Sequence, residues 1–513
     1  MTKSYARRMQ RVQPSAIREL LRLGADPEVI SFGGGYPDPA LFPVAELADV
    51  FAELLVPERA ESLQYTASVG LSMLRAQVAE RLGRDGIACT SEDVLIIQGA
   101  QQGLDLAARL MIDPGDVVIT ENPTFLGALI AFNPSEPTYA TASSDEDGMD
   151  TDDLARVLAT EPRAKMIYVV PDFANPTGTT LSLPRRHRLI ELANEHDVLI
   201  IEDTPYRPLR YSGDHLPTLK SMDTEGRVLH LGSFSKILAP GLRLGWAVAK
   251  PEILERLSLL KLAADTQNST LNMAATSAYL ARFDLDAHIA RSVPVYRHKR
   301  DLMLGTMAET FPDRVSWTEP DGGLFTWLTF PEGFDAAAFM AERLLPEAKV
   351  AFVPGATFFP VHQEPHHARV SFSGVPDDRL VRGVTAIGTL LPFGPTASVT
   401  RGAGPPWRPI SATGAGPPSR PRPRQARHTQ DQDRADCHRT GSHGPEMRYA
   451  SVSTRPPTSI RSHRIRPSVA VLSDRVHHAD PPDLLRRPLP RPIWVHKPVA
   501  TQLAQVIRSP DLE

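Results

Sequence analysis

The chain has 513 residues, a formal net charge of -4, 42% hydrophobic and 23% charged residues, and 2 cysteines. This length and apolar content allow two domains with a large core, and the near-balanced charge carries no overall nucleic-acid footprint. Cys89 and Cys437 alone cannot form a disulfide framework or a clustered thiolate site, and no apolar run approaches the roughly 20 residues of a membrane span. Met1–Gln10 lacks the apolar centre of a secretion signal, so a cytosolic protein is expected.

Pro14–Leu23 reads as a short amphipathic helix with Ile17, Leu20 and Leu21 on one face and Ser15 as its cap. Arg18 and Arg22 share another face, where solvation is the plain reading. Ser31–Pro43 is a loop in which Gly33, Gly34 and Gly35 let the backbone approach a ligand before Tyr36, or simply make a turn. Leu63-Gln64-Tyr65 precedes Gly70 and a helix over about 74–82; a tyrosine there is on average half-buried.

Asp93–Gln98 reads as a buried strand, and Gly99-Ala100-Gln101 opens a helix with Leu104, Ala107, Ala108 and Met111 on one face. Strand, glycine and helix N-terminus together make a phosphate site, because free amides and the helix dipole favour an anion. A turn over Asp113–Asp116 leads to the strand Val117–Thr120, and Phe125 follows as either a core ring or a stacking surface. Met166–Pro171 is a further buried strand, ending at the turn Asn175-Pro176-Thr177-Gly178. Val198–Glu202 leads to Asp203 and Tyr206. A carboxylate at a strand's C-terminal end stands where open α/β sheets bind ligands, and the preceding strand pattern argues against a helix cap.

Between the strands expected at Arg227–Gly232 and Leu244–Lys250 lies the run Ser233-Phe234-Ser235-Lys236, then Pro240-Gly241 and Arg243. Two hydroxyls and a guanidinium can hold a phosphate dianion, and a lysine among them can form a Schiff base with an aldehyde on the same molecule. Pyridoxal phosphate (PLP) carries both groups.

A long helix is expected from Asp286, rich in arginine (Arg291, Arg297, Arg300). Val361–His367 holds three histidines, but with no acidic or thiol partner at fitting spacing no metal is expected there. Arg369 opens an alternating strand, as a surface ion-pair partner or as a planar fork for a carboxylate. Beyond Leu391 about twenty prolines and about ten net positive charges fall in some 120 residues, with Lys497 the only lysine. Such a stretch buries too little to offset its ordering entropy and is expected to be disordered; an extension without selected structure is favoured over an anion-binding arm.

Ser233–Trp246 resembles the S-x-S-K-x-x-x-P-G-x-R-x-G motif of class I/II aminotransferases, the fold type I PLP enzymes. The glycine loop, Leu63-Gln64-Tyr65, Asn175–Gly178, Asp203–Tyr206, Asp321–Trp327, Val353–Phe359 and Arg369–Ser373 follow that family's order over residues 14–391, with the 2-aminoadipate aminotransferase subgroup most similar. The resemblance implies an α/β fold: an arm at 1–44, a large domain at 45–285 with a mostly parallel seven-stranded sheet flanked by helices, and a smaller α+β domain at 286–391. A disordered tail at 392–513 would complete the chain.

The resemblance also implies roles. Lys236 would bind PLP covalently and carry protons. Ser233, Ser235, Arg243 and the Gly99-Ala100-Gln101 amides would hold its phosphate, with Ala100 standing where relatives usually have serine. Tyr65 would reach the neighbouring subunit's phosphate, making a homodimer with shared sites. Phe125 would stack on the ring, Asn175 and Tyr206 would hold the phenolic oxygen, and Asp203 would pair with the ring nitrogen. Arg369, with Asn175, would grip the substrate carboxylate, Gly35 and Tyr36 would line the pocket, and Arg18 would reach an acidic side chain.

The function implied is amino transfer between an L-amino acid (2-aminoadipate, branched-chain, aromatic or phenylglycine-type) and a 2-oxo acid such as 2-oxoglutarate. A PLP-dependent decarboxylase or racemase would share the cofactor residues. The sensor module of a transcription regulator is the other alternative, but only about 30 residues precede the glycine loop, too few for a DNA-binding domain.

Overall fold

In the computed structural model, residues 5–12 and 26–393 are described. The helix expected over 14–23, with Arg18 and Arg22, and the Pro/Arg-rich tail lie outside the described residues. The large sheet is built from β2 (Val94–Ile97), β3 (Val117–Asn122), β4 (Thr138–Asp145), β5 (Gly148–Met149), β6 (Ala164–Val169), β7 (Leu199–Asp203), β8 (Val228–Ser233) and β9 (Gly245–Val248). Its order is β2-β9-β8-β7-β6-β3-β4-β5. The pairs β8–β7, β7–β6, β6–β3 and β3–β4 are parallel, whereas β9 is antiparallel to both β8 and β2. The eighth strand, beyond the seven expected, is the two-residue β5, which turns back antiparallel onto β4. The six strands that pattern placed in this sheet stand within a residue or two of their expected bounds, whereas β4 had no expected place.

These strands are short and rich in Val, Ile and Leu because helices cover both faces, as parallel sheets require. Side chains alternate accordingly. Met166, Tyr168, Leu199, Ile201, Leu229 and Leu231 join one core cluster, while Ile167, Val169, Ile200 and Val228 join the cluster on the opposite face. On the edge strand β2, Leu95 and Ile97 point to the first cluster and Val94 and Ile96 to a third.

The second sheet has the order β10-β11-β14-β13, from Ser316–Trp317, Phe325–Thr329, His367–Ser371 and Val353–Pro354, and all its pairs are antiparallel. The long helix spans Leu285–Thr310, capped by Asp284, whose side chain accepts from the amides of Asp286 and Ala287. The strand β1 (Ile30–Ser31) pairs in parallel with β12 (Val350–Ala351), and Ser371 N donates to Phe32 O over 2.9 Å. Those bonds bring the glycine loop beside β14.

No helix among the described residues is long and apolar enough to cross a membrane.

Candidate active site

The topology gathers the candidate residues at one edge. Because β3, β6, β7 and β8 are parallel, their C-terminal ends deliver Phe125, Asn175, Asp203 and Ser233–Lys236 to the same side. The antiparallel β9 begins where β2 and β8 end, with Gly245 in register with both Ile97 and Ser233. Gly99 and Arg243 therefore meet. Gly99 has a φ of 72°, and a Cβ there would lie 3.0 Å from Arg243 Nη2. Gly245 is equally constrained, since a Cβ would come within 2.6 Å of Gly232 O.

The helix Ala100–Met111 starts directly after Gly99, so its first amides lack intrahelical partners. Arg243, in a left-handed conformation (φ 52°), donates from Nη2 to Gln98 O over 3.0 Å. Ser233 Oγ donates to Ser235 Oγ at 2.9 Å and accepts from Ser235 N at 3.1 Å. Gln101 Nε2 donates to Gly127 O over 2.7 Å, and a Cβ on Gly127 would lie 2.3 Å from the Phe125 ring. Amides, two hydroxyls and one guanidinium thus form a cradle suited to a phosphate dianion.

Lys236 Nζ donates to Gly35 O over 2.6 Å. The residue as a whole is only partly buried, but its amine lies inside the site. Burial, then the charges of Arg369 and Arg243, bring its pKa down to about 8. Arg369 donates from Nη1 to Asn175 Oδ1 (2.8 Å) and from Nη2 to Gly33 O (2.6 Å). Its guanidinium carbon lies 4.4 Å from the Phe325 ring centroid and 5.2 Å from that of Phe358. Burial lowers its pKa to about 10. Asn175 Nδ2 in turn donates to the Tyr206 hydroxyl over 3.4 Å, and burial pushes the Tyr206 phenol up.

Asp203 is 2% exposed. The Tyr168 hydroxyl donates to its Oδ2 over 3.0 Å, while Oδ1 is buried without a partner. Burial raises this carboxyl to about 7, against the lowering effect of the Tyr168 bond and the nearby His230. Beneath it the Glu202 carboxylate accepts from the amides of Leu219 (2.6 Å) and Lys220 (3.0 Å) and bonds His230 Nδ1 at 2.9 Å. Glu121, at the end of β3, is raised to about 8 by burial, with one compensating bond from Val170 N.

Sequence reasoning did not single out Tyr168. The available signal was period two along β6, since Tyr168 faces the same cluster as Ile201, two residues before Asp203 on the neighbouring strand. Gly33, open to a turn-only reading, places its carbonyl on Arg369.

Two predicted residues stand apart within one chain: Tyr65 is 81% exposed and Tyr36 is 55% exposed, although the Tyr36 carbonyl accepts from Ser373 Oγ at 2.6 Å. One expectation is corrected. The histidine-rich insertion does have an acidic partner, because a turn at Pro365–His366 folds Glu364 back until its Oε2 lies 3.0 Å from His367 Nε2.

The donor set fits PLP. A buried, unpartnered Asp203 Oδ1 can take a ring N–H, and the Gly99–Arg243 cradle can take the phosphate. Residues 28–387 match the family aminotransferase class I and II. The chain is 39% identical to aromatic-amino-acid aminotransferase 1 of Thermococcus litoralis over 387 residues, covering 74% of this chain and 92% of that protein. It is 37% identical to the 2-aminoadipate transaminase of Thermus thermophilus over 393 residues, covering 76% and 97%. The solved structure of α-aminoadipate aminotransferase from the same organism, complexed with N-(5'-phosphopyridoxyl)-L-leucine, superposes with a TM-score of 0.70. That match is 36% identical and covers 75% of this chain and 96% of that one. The chain belongs to the class I and II aminotransferases and is a PLP-dependent transaminase.

Proposed function

We propose that this transaminase moves the amino group of an L-amino acid to a 2-oxo acid such as 2-oxoglutarate, working as a cytoplasmic homodimer with Lys236 as its catalytic residue. Acidic (2-aminoadipate, glutamate) and aromatic amino acids are its substrates, with branched-chain and phenylglycine-type ones as further candidates. The observation that carries this reading is the position of Lys236, whose buried amine has its pKa lowered first by burial and then by two neighbouring arginines, Arg369 and Arg243. An α-carboxylate and a phosphate, one on each arginine, would bracket the amine. The domains are assigned as 45–285 for the cofactor and 286–391 for closure over substrate, preceded by the arm at 1–44.

When bound, PLP supplies an electron sink for the pair left at the substrate Cα. Ser233, Ser235, Arg243 and the Gly99-Ala100-Gln101 amides hold its phosphate, Phe125 flanks its ring, and Asn175 and Tyr206 hold its phenolic oxygen. Asp203 keeps the ring nitrogen protonated. Arg369 and Asn175 fix the substrate carboxylate and so the direction of Cα–H. Lys236 Nζ would take the substrate's Cα proton and hold it for redelivery; its lowered pKa leaves a larger share of free amine near neutrality. Its hydrogen-bond partner in the structure is Gly35 O, in the glycine loop that would line the pocket. The exposed Tyr65 is assigned to the partner subunit's phosphate.

Tyr168 acts through Asp203 as a positioning residue. Its hydroxyl donates to Oδ2, which leaves Oδ1 as the unpartnered oxygen that would take the ring N–H. Tyr168→Phe removes a hydrogen bond to a charged group, worth about 1.5–3 kcal/mol. We expect kcat to fall about tenfold with PLP retained, and the pH at which the bound cofactor's absorbance changes to move. A fall in Tm with an unmoved pH profile would give Tyr168 a packing role only.

The substrate reading is tested by following the cofactor's absorbance while the enzyme is mixed with single amino acids. Glutamate and 2-aminoadipate are expected to react, and inertness towards every acidic and aromatic amino acid would overturn the reading. Arg18→Ala is expected to cut kcat/KM for glutamate about tenfold or more, the value of a charge-assisted bond, while sparing phenylalanine. Equal losses on both would remove Arg18 from the substrate pocket.

A further inference from the structure

The turn before β14 collects three donor atoms that the transamination site does not use. Glu364 Oε2 lies 3.0 Å from His367 Nε2 and 3.9 Å from His366 Nε2. The ligand atoms of all three residues fall within 4.8 Å of one another. A tetrahedral zinc with bonds of roughly 2.0–2.2 Å holds its donors about 3.3 Å apart, so small side-chain rotations close this set around an ion.

His367 is already held as a ligand would be. It opens β14 opposite Thr329, is 8% exposed, and stacks on Trp327 with ring centroids 5.3 Å apart and planes 19° apart. A Cβ on Gly355 would lie 2.4 Å from His367 Cβ, so the backbone behind it leaves no room to withdraw. Without an ion Nε2–H donates to Glu364 Oε2; His367 Nδ1 lies 3.1 Å from Thr329 Oγ1, which can accept an Nδ1–H once a cation displaces the Nε2 proton. Metal-binding imidazoles are typically oriented by such an outer bond.

A plain Glu364–His367 hydrogen bond would not need the third donor. Yet the His366 ring sits 4.1 Å from that of His367, tilted by 37°. Glu364 and His366 are both partly exposed, which leaves an entry path and an open position for water.

We propose that Glu364, His366 and His367 bind one divalent cation of the zinc class, with water completing the coordination. Two imidazoles and a carboxylate select zinc, cobalt or nickel over magnesium and calcium, which prefer oxygen donors throughout. His367 lies two residues before Arg369 on the same strand, so the ion would pin the 361–367 loop to the strand that carries this arginine. The role is structural and does not depend on the substrate reading.

The test uses the full chain stripped of metal with a chelator and then titrated with Zn²⁺, and separately with Co²⁺, by calorimetry and visible absorption. The chain has 16 histidines, so the readout is the difference between the wild type and Glu364→Ala/His366→Ala. Wild type is expected to bind one more equivalent of zinc, to show cobalt bands of a low-coordinate site, and to gain Tm with zinc. The double variant loses all three while keeping metal-free aminotransferase turnover, which shows that it is folded. Each single substitution is expected to weaken zinc binding at least about tenfold. Equal stoichiometry and equal cobalt spectra in wild type and double variant, or unchanged affinity in both single variants, would overturn the proposal.

Discussion

Lys236→Ala is expected to bring transamination below detection, the largest effect of any single substitution in this chain. Two losses coincide at one atom. On the proposed reading the amine is the group in the cradle that would bond covalently to an aldehyde, and it is also the group that would move the Cα proton. Removing a general acid–base alone costs about 10²–10⁴-fold. No neighbour replaces it, because a guanidinium offers only donors, and Ser233 and Ser235 are hydrogen-bonded to each other. The measurement is steady-state turnover together with borohydride reduction, which traps a covalent PLP–lysine bond in the wild type. A reducible bond and wild-type rate in the variant would remove Lys236 from the mechanism.

The fold should survive this change. The native state favours the neutral amine, since the pKa is lowered from 10.5 to about 8. Below about pH 8 the buried lysine therefore weighs against folding, and that cost vanishes above its unfolded pKa. The cofactor-free variant is expected to match or exceed the Tm of the cofactor-free wild type at pH 7, and a lost activity accompanied by unfolding would be a different result.

Asp203→Asn is expected to slow the half-reaction about a hundredfold or more, in line with loss of one preorganised charge at a reacting centre. The amide keeps the carboxylate's shape and can still accept from Tyr168, so PLP should remain bound through the phosphate cradle and Lys236. What would disappear is the negative charge that, on the proposed reading, keeps the ring nitrogen protonated. A near-normal rate would make Asp203 structural.

The same substitution has a pH signature in the cofactor-free protein. Burial raises the Asp203 carboxyl to about 7. Its contribution to stability is thus fully present below the ordinary carboxylate range and is lost as pH rises through about 7. Asp203→Asn should therefore be more stable than wild type at pH 8, with the difference closing towards pH 4.

Much of this molecule is legible in its primary structure. The buried strands announce themselves as short β-branched runs, and Gly99, Asp203 and Lys236 follow strands in the order that an open α/β sheet uses for ligand contacts. Local chemistry suffices there, because each signal lies within about ten residues and rests on periodicity or turn geometry. Tyr168 was missed for the converse reason. A tyrosine inside an apolar strand looks like packing, and only the pairing of β6 with β7 shows which carboxylate it meets. Glu364 was likewise discounted, because spacing alone does not reveal a turn that folds residue 364 back onto residue 367.

The sequence by itself determined the strand and helix order, the lysine–arginine–hydroxyl cluster and the family of the chain, since each is written in residue types at short range. The tertiary structure decided what those groups feel. An antiparallel β9 between two strands of one direction puts Arg243 against Gly99, and the β1–β12 pairing lays Gly33 and Gly35 on Arg369 and Lys236. Burial then sets the pKa of Lys236 near 8 and that of Asp203 near 7. Desolvation depends on everything packed around a group, and contacts between residues two hundred positions apart have no local trace in the chain.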